Sequence, residues 1–110
     1  MSYIDMTTAM MRVRNNVTLY KRLLKMFLEN TKFAELESAL DANDLPAAAD
    51  AAHAIKGVVG NLAFEPLFPL STELMNQLRN GERNEQTLEL YRKALIGTIE
   101  EVKEYLNSQS

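Results

Sequence analysis

The chain contains no cysteine, and its 110 residues include only four glycines and three prolines. Without cysteine there are no disulfides and no thiolate metal sites, and nothing points to an oxidising compartment. No apolar run approaches the roughly 18 residues that a membrane-spanning helix needs, and the N-terminal residues do not follow a signal-peptide pattern. We therefore predict a cytoplasmic protein with no membrane insertion.

The charge is modest and dispersed. The formal net charge is −3, and the twelve lysines and arginines do not form one continuous run. A protein that binds nucleic acid usually has a coherent basic surface, so we expect no nucleic-acid partner. Hydrophobic residues make up 46% of the chain, which argues against disorder, and the length fits a single domain over residues 1–110.

Apolar residues recur at helical spacing, and no segment alternates with a period of two. The pattern predicts a short helix over about residues 6–13 and long ones over about residues 17–40 and 44–64, with Ala34 facing inward in the first of these. Another begins near Pro66, and the last runs from a cap at Asn84 to about Leu106. The predicted fold is all-α, an antiparallel four-helix bundle with a short additional N-terminal helix.

The third predicted helix carries the single histidine of the chain, His53. At about 100° per residue, His53 lies about 200° from Ile55 and so faces away from the apolar stripe. Its position leaves two interpretations open, an inert surface histidine or a functional one. The residues of the stripe are Leu45, Ala48, Ala52, Ile55, Val59 and Leu62.

The neighbours of His53 favour the functional interpretation. Lys56, Gly57 and Gly60 follow it by three, four and seven residues, on the same face of the helix. Each interior glycine costs about 1 kcal/mol relative to alanine, so a requirement for a bare surface would explain them. Ala49, four residues before His53, has a small side chain that leaves the preceding turn of this face unobstructed. A helix C-cap would explain Gly60 but not Gly57, which comes too early.

Neutral imidazole is a good nucleophile near neutral pH and can accept and release a phosphoryl group. A nearby cation such as Lys56 would stabilise the negative charge of that group. The residues Ala52-His53-Ala54-Ile55-Lys56-Gly57, followed by Asn61-Leu62, resemble the signature A-H-x-[LIF]-K-G-x-x-x-[NS]-[LI]-G of histidine-containing phosphotransfer (HPt) domains. Asp44 matches the acid that commonly opens this helix, and the segment from Ile4 to Phe27 resembles the N-terminal part of such domains in hybrid sensor kinases.

The resemblance implies that His53 is phosphorylated, through Nε2, by an aspartyl phosphate of one receiver domain and passes the group to an aspartate of another. Lys56 would pair with the phosphoryl oxygens, and Gly57 would clear space for the receiver. The expected partners are response-regulator receiver domains, with a hybrid sensor kinase as a further candidate. The chain itself would be a monomer without kinase activity or a cofactor of its own, and Mg²⁺ would belong to the receiver.

Two positions depart from the family pattern. Ala63 stands where the family usually has glycine, so the turn after the third helix should differ or the helix should run longer. Met75 occupies the position of a polar residue that in some members hydrogen-bonds the imidazole. Ser71 and Arg79, one turn to either side, are candidates to replace it in that role.

A docking surface for the receiver is expected from the short first helix, the strip around His53 and part of the fourth helix. Met10 and Met11 are adaptable contact residues, although methionines here can equally cap the open end of the core. Arg12 would steer the acidic active site of a receiver. Ala49, Gly60 and Arg79 complete the predicted docking set.

Other functions fit less well. The chain lacks a glycine-rich phosphate loop, a second histidine and a serine–histidine–acid set, so an independent enzyme is not expected. Histidine domains of sensor kinases have an acid directly after the histidine and a proline shortly beyond it. Here Ala54 follows His53, and the next proline is Pro66. The remaining alternative is a non-catalytic helical interaction module in which His53 has no chemical role.

Overall fold

The computed structural model describes residues 2–108, and within this range the chain is all-helical and has no strand. The predicted all-α class is confirmed. Six helices follow one another along the chain: α1 (Met6–Arg12), α2 (Val17–Leu28), α3 (Lys32–Asp41), α4 (Leu45–Asn61), α5 (Leu67–Arg79) and α6 (Glu85–Ser108).

The single helix predicted over residues 17–40 is wrong, because the chain breaks it between Leu28 and Lys32. At the break the side chain of Asn30 accepts a hydrogen bond of 2.8 Å from the backbone N–H of Lys32, so a side chain replaces a helix carbonyl. The break also shifts the helical phase. Ala34, predicted to face inward, is exposed, and Phe33 packs against the core instead.

Side-chain caps begin four of the helices. The side chains of Asp5, Asn16, Asp44 and Asn84 each accept a hydrogen bond from the backbone N–H three residues later, at 3.0 to 3.2 Å. Such caps satisfy N–H groups that have no partner inside the helix. The cap predicted at Asn84 is therefore confirmed, and Asp44 opens its helix as the family resemblance implies.

Helix α4 lies in the middle of the molecule and packs against both α3 and α5. Small residues on its buried side allow this close approach: Ala48, Ala49, Ala51 and Ala52 are all buried. Along the α4–α5 pair, His53 lies beside Met75, and Gly60 lies under Phe68. Residue numbers thus rise along α4 as they fall along α5, and the two helices are antiparallel.

At the end of α4, Ala63 causes neither a different turn nor a longer helix. The helix ends at Asn61, and Ala63 has φ of 61°, the left-handed conformation that glycine adopts most readily. The carbonyl of Ala63 accepts a hydrogen bond of 2.8 Å from the backbone N–H of Asp5. The turn therefore keeps the conformation typical of glycine without the glycine, and it holds the start of α1 beside the end of α4.

A second contact fixes the N-terminal segment to α6. The carboxylate of Glu101 accepts hydrogen bonds from the backbone N–H groups of Tyr3 and Ile4, at 2.7 and 3.2 Å. The ring of Tyr3 lies directly against Gly97, where an added Cβ would clash with the ring. Helix α1 is thus held at its start by two separate parts of the fold.

Candidate functional site

Helix α4 presents His53 to solvent. Ile55 and Val59, on the opposite side of the helix, are fully buried, whereas His53 is exposed, as the helical spacing predicts. The imidazole is therefore accessible to another molecule, which an internal catalytic histidine would not be.

The ring lies in an open groove where the C-terminal half of α4 meets α1 and the start of α5. We call this the His53 groove. It contains basic, acidic and aromatic side chains, and two glycines form part of its floor. Its lining comprises Arg12, His53, Lys56, Gly57, Val59, Gly60, Asn61, Ala63, Phe64, Glu65 and Phe68.

One buried atom of α5 contacts the imidazole. The Nδ1 atom of His53 lies 3.3 Å from the Sδ atom of Met75, a side chain that is only 3% exposed. Neither proposed substitute forms a hydrogen bond with the ring in the described part of the chain. Ser71 is fully buried, and its hydroxyl has no partner among the described residues; Arg79 is exposed and does not line the groove. Met75 itself therefore supports the ring from the side of the core.

The two glycines near His53 have different surroundings. A Cβ added at Gly57 would meet nothing within 4 Å, so this part of the helix surface is bare. A Cβ added at Gly60 would lie 2.8 Å from Cε1 of Phe68, whose ring covers that glycine. The expectation of a bare strip thus holds at Gly57 and fails at Gly60, where the missing side chain makes room for an aromatic ring.

Two cations share the groove with His53. Lys56 is partly exposed one turn further along α4, and within residues 2–108 it takes part in no ion pair. Arg12 reaches across from α1 and donates a hydrogen bond from Nη1 to the carbonyl of Gly60. Glu65 is the one carboxylate in the groove lining. The local balance is therefore positive although the whole chain is acidic.

The other predicted docking residues are placed unevenly. Met11 is 73% exposed and fits the interpretation as a contact residue. Met10 is partly buried and packs against the core, so it fits the interpretation as a cap of the core. Ala49 is only 4% exposed and cannot contribute to a contact surface, because α4 is covered on two sides by neighbouring helices. Arg79 is exposed but lies outside the groove lining.

Phe68 was not predicted as part of the site. Its ring is 40% exposed and lies over Gly60 at the edge of the groove. A sequence signal does exist. If Met75 lies opposite His53 in an antiparallel helix pair, then two helical turns away Phe68 of α5 must lie opposite Gly60 of α4.

These groups suit nucleophilic chemistry at a helix surface. Neutral imidazole attacks electrophilic phosphorus, and the cations beside it favour a group that carries several negative charges. Among residues 2–108 there is no cluster of three or more histidine, cysteine or acidic side chains placed to hold a metal ion. In the same range no helix is both long and apolar enough to cross a bilayer. Fold and site together define an all-helical protein with a solvent-exposed histidine in an open groove.

A comparison with protein families agrees with this class. The Hpt domain family matches residues 22–106, which is most of the chain, and the chain therefore belongs to that family. Hpt domains are phosphoryl carriers, not kinases, and they interact with receiver domains in the phosphorelays of two-component signalling. Helix α1 precedes the matched segment. Comparisons with curated proteins and with solved structures give no significant match.

Proposed function

We propose that His53 accepts a phosphoryl group from the aspartyl phosphate of one receiver domain and passes it to the aspartate of another. The observation that carries the proposal is the exposed imidazole in an open groove beside two cations. In the first step a lone pair of the ring forms an N–P bond while the P–O bond to the aspartate breaks. The carboxylate leaves with that electron pair, and the return step reverses these changes.

Lys56 and Gly57 have separate roles in this proposal. Lys56 is close enough along the helix to pair with phosphoryl oxygens on His53, and it has no competing ion pair in the described part of the chain. A hydrogen bond to a charged partner contributes about 1.5–3 kcal/mol. Gly57 leaves open space beside the ring, which lets the receiver bring its aspartate within bonding distance of the imidazole.

The receiver is expected to dock over the His53 groove and the exposed side of α1. Met11 and Phe68 supply apolar contact area there, and Arg12 supplies a positive charge that attracts an acidic active site. In the same proposal α3 to α6 act as one antiparallel four-helix bundle that holds the groove rigid. The chain works in the cytoplasm as a monomer, without a cofactor of its own, and Mg²⁺ binds to the receiver.

A transfer assay tests the proposal directly. The full chain is mixed with radiolabelled phospho-receivers from a small panel, and label should move onto it and disappear with His53→Gln. The new bond should be labile in acid and stable in alkali, as expected of phosphohistidine. Label that persists on the His53→Gln protein, or labelling by ATP alone, would refute the carrier role. Transfer from no receiver would favour the interaction-module alternative.

The role of Lys56 needs its own variant. Lys56→Ala should slow transfer about tenfold or more, because the phosphoryl oxygens lose a charged partner. The thermal midpoint should hardly change, since Lys56 lies partly exposed on the helix surface. Lys103→Ala, which removes an exposed lysine from α6, is the matched control and should leave the rate unchanged. A large fall in stability with Lys56→Ala would show that the lysine is structural.

A further inference from the structure

The contact between the imidazole and Met75 has a chemical consequence. Nδ1 of His53 lies 3.3 Å from Sδ of Met75, and the sulfur is buried between α4 and α5. We infer that Met75 is a positioning residue: its sulfur keeps the proton of the neutral ring on Nδ1, so that Nε2 presents its lone pair to the groove. The consequence for phosphoryl transfer rests on the proposed function, whereas the placement of the proton does not.

The chemistry of the thioether determines which atom carries the proton. A methionine sulfur has no hydrogen to donate and acts only as a weak acceptor. With the proton on Nδ1, the contact is an N–H···S hydrogen bond. With the proton on Nε2, the lone pair of Nδ1 would face the lone pairs of sulfur at 3.3 Å. A free histidine side chain in water favours the Nε2–H form, so the sulfur reverses the usual preference.

The other side of the ring favours the same arrangement. The two nitrogens of an imidazole point in diverging directions, so a ring whose Nδ1 points toward the buried sulfur directs Nε2 away from the core. Arg12 and Lys56 line the groove on that side, together with the single acid Glu65. A proton donor at Nε2 would face two cations, whereas a lone pair there is attracted by them.

The position of the proton affects both directions of transfer. When Nε2 attacks, its lone pair forms the N–P bond and the proton stays on Nδ1. When the phosphoryl group leaves, the electron pair of the N–P bond returns to Nε2, and the leaving group is a neutral imidazole. A thioether is a weaker acceptor than an amide oxygen, so its hydrogen bond with Nδ1–H stabilises the positively charged, phosphorylated ring less. Met75 therefore makes His53 a carrier that readily gives the group up.

Nitrogen NMR of the full chain tests the proton placement without any phosphoryl donor. In ¹⁵N-labelled protein with a neutral ring, the shifts of His53 should show mainly the Nδ1–H form. Met75→Leu removes the acceptor but keeps an apolar side chain of similar volume, so the fold should be retained and the Nε2–H form should become dominant. Met10→Leu replaces a partly buried methionine on α1 and should leave the shifts unchanged.

A mainly Nε2–H ring in the native protein would overturn the inference, as would a Met75→Leu variant with unchanged shifts. The second arm uses Met75→Gln, whose amide oxygen is a stronger acceptor. It should keep the Nδ1–H form and move the transfer equilibrium with a receiver about fivefold toward phosphorylated His53. If NMR gives the expected forms but no receiver phosphorylates His53, the proposed function fails and the role of Met75 in placing the proton stands.

Discussion

Gly57 and Gly60 lie one turn apart on α4, yet each is small for a different reason. Nothing in the fold comes near a Cβ at Gly57, so packing does not explain the absence of a side chain there. At Gly60 the ring of Phe68 occupies the space. Packing therefore requires a small residue only at Gly60, whereas at Gly57 that requirement would come from the proposed receiver.

Replacing each glycine with alanine tests this difference. Gly57→Ala should raise the thermal midpoint by about 4 °C, because alanine favours an interior helical position by about 1 kcal/mol in a domain of this size. The same variant should slow phosphoryl transfer if the receiver uses the bare surface. Gly60→Ala should gain less stability or lose some, since its methyl group displaces the ring of Phe68. Thermal unfolding followed by circular dichroism measures both midpoints.

Ala54→Gly provides the matched control for the helical preference. Ala54 is a partly exposed residue on the same helix, and its replacement by glycine should lower the midpoint by a similar amount. Equal stabilisation by both glycine replacements would contradict the packing difference. Unchanged transfer by Gly57→Ala would show that the receiver does not need the space at Gly57.

At the scale of elements, α1 depends on its first cap. The carboxylate of Asp5 accepts hydrogen bonds from the hydroxyl and the backbone N–H of Thr8, at 2.6 and 3.2 Å. The hydroxyl bond, followed by the backbone bond, lowers the pKa of Asp5. Because Arg12 lies at the other end of the same helix, the cap also helps to keep a cation in the His53 groove.

Acid should loosen α1 before it unfolds the other helices. Because the pKa of Asp5 is lower in the folded chain, its ionised carboxylate stabilises α1 at neutral pH. This stabilisation is lost as the pH falls below about 4, where the carboxyl of the unfolded chain takes up its proton. Amide hydrogen exchange at decreasing pH should show α1 opening first. Asp5→Asn keeps a capping side chain without a titration, so its α1 should show less dependence on pH.

Asp50→Asn serves as the control, because Asp50 is exposed within α4 and does not cap a helix. Its α1 should respond to acid as in the native chain. Loss of protection in α4 before α1 would contradict the assignment of the acid-sensitive element.

The break between α2 and α3 shows why one element was missed. The apolar residues before and after residues 29–31, such as Phe27 and Ala34, keep helical spacing across the break. Periodicity alone therefore predicts one long helix. The side chain of Asn30 ends that helix, and the rings of Phe27 and Phe33 meet edge-on across the break with centroids 5.3 Å apart. An asparagine is compatible with either outcome, and the aromatic contact exists only after the chain has turned.

For the molecule as a whole, two buried tyrosines set the limit of stability in alkali. Tyr20 and Tyr91 are each 1% exposed, and burial raises the pKa of both hydroxyls. Tyr20 donates a hydrogen bond of 3.0 Å to the carbonyl of Leu62, whereas the hydroxyl of Tyr91 has no partner among the described residues. Both side chains remain neutral while the fold is intact.

Stability should therefore be lost in alkali. Tyrosine in the unfolded chain titrates near pH 10, and its pKa is higher in the folded chain. The contribution of the two tyrosines to the free energy of unfolding is therefore fully present below about pH 10 and is lost as the pH rises above that value. Chemical unfolding between about pH 8 and 12, read with tyrosinate absorbance, should show Tyr20 and Tyr91 ionising together with unfolding. Their ionisation in a folded chain would contradict the effect of burial.

The two phenylalanine variants should differ at neutral pH. Tyr20→Phe leaves the carbonyl of Leu62 without its donor and should lower the free energy of unfolding by about 1 kcal/mol. Tyr91→Phe removes a hydroxyl that has no partner in the described residues and should be neutral or slightly stabilising. Urea unfolding at neutral pH measures both, and a larger loss for Tyr91→Phe would mean that its hydroxyl has a partner.

Helical class, most helix starts and the exposure of His53 were determined by the sequence alone. These properties depend on residues within a few positions of one another, such as a cap and its N–H or an imidazole and the apolar stripe of its own helix. The caps and the side of the helix on which His53 lies hold whichever helices later pack together. For the same reason the grouping of His53, Lys56 and Gly57 on one face was visible from their spacing.

Only the tertiary structure decided what surrounds that face. The sulfur of Met75 against the imidazole, Phe68 over Gly60 and Arg12 beside them all depend on which helices meet and in which register. The burial of Ala49 has the same origin, because α4 is covered by two neighbours and so buries a wider arc than its apolar stripe. Contacts between helices depend on residues far apart in the chain, and local periodicity carries no information about them.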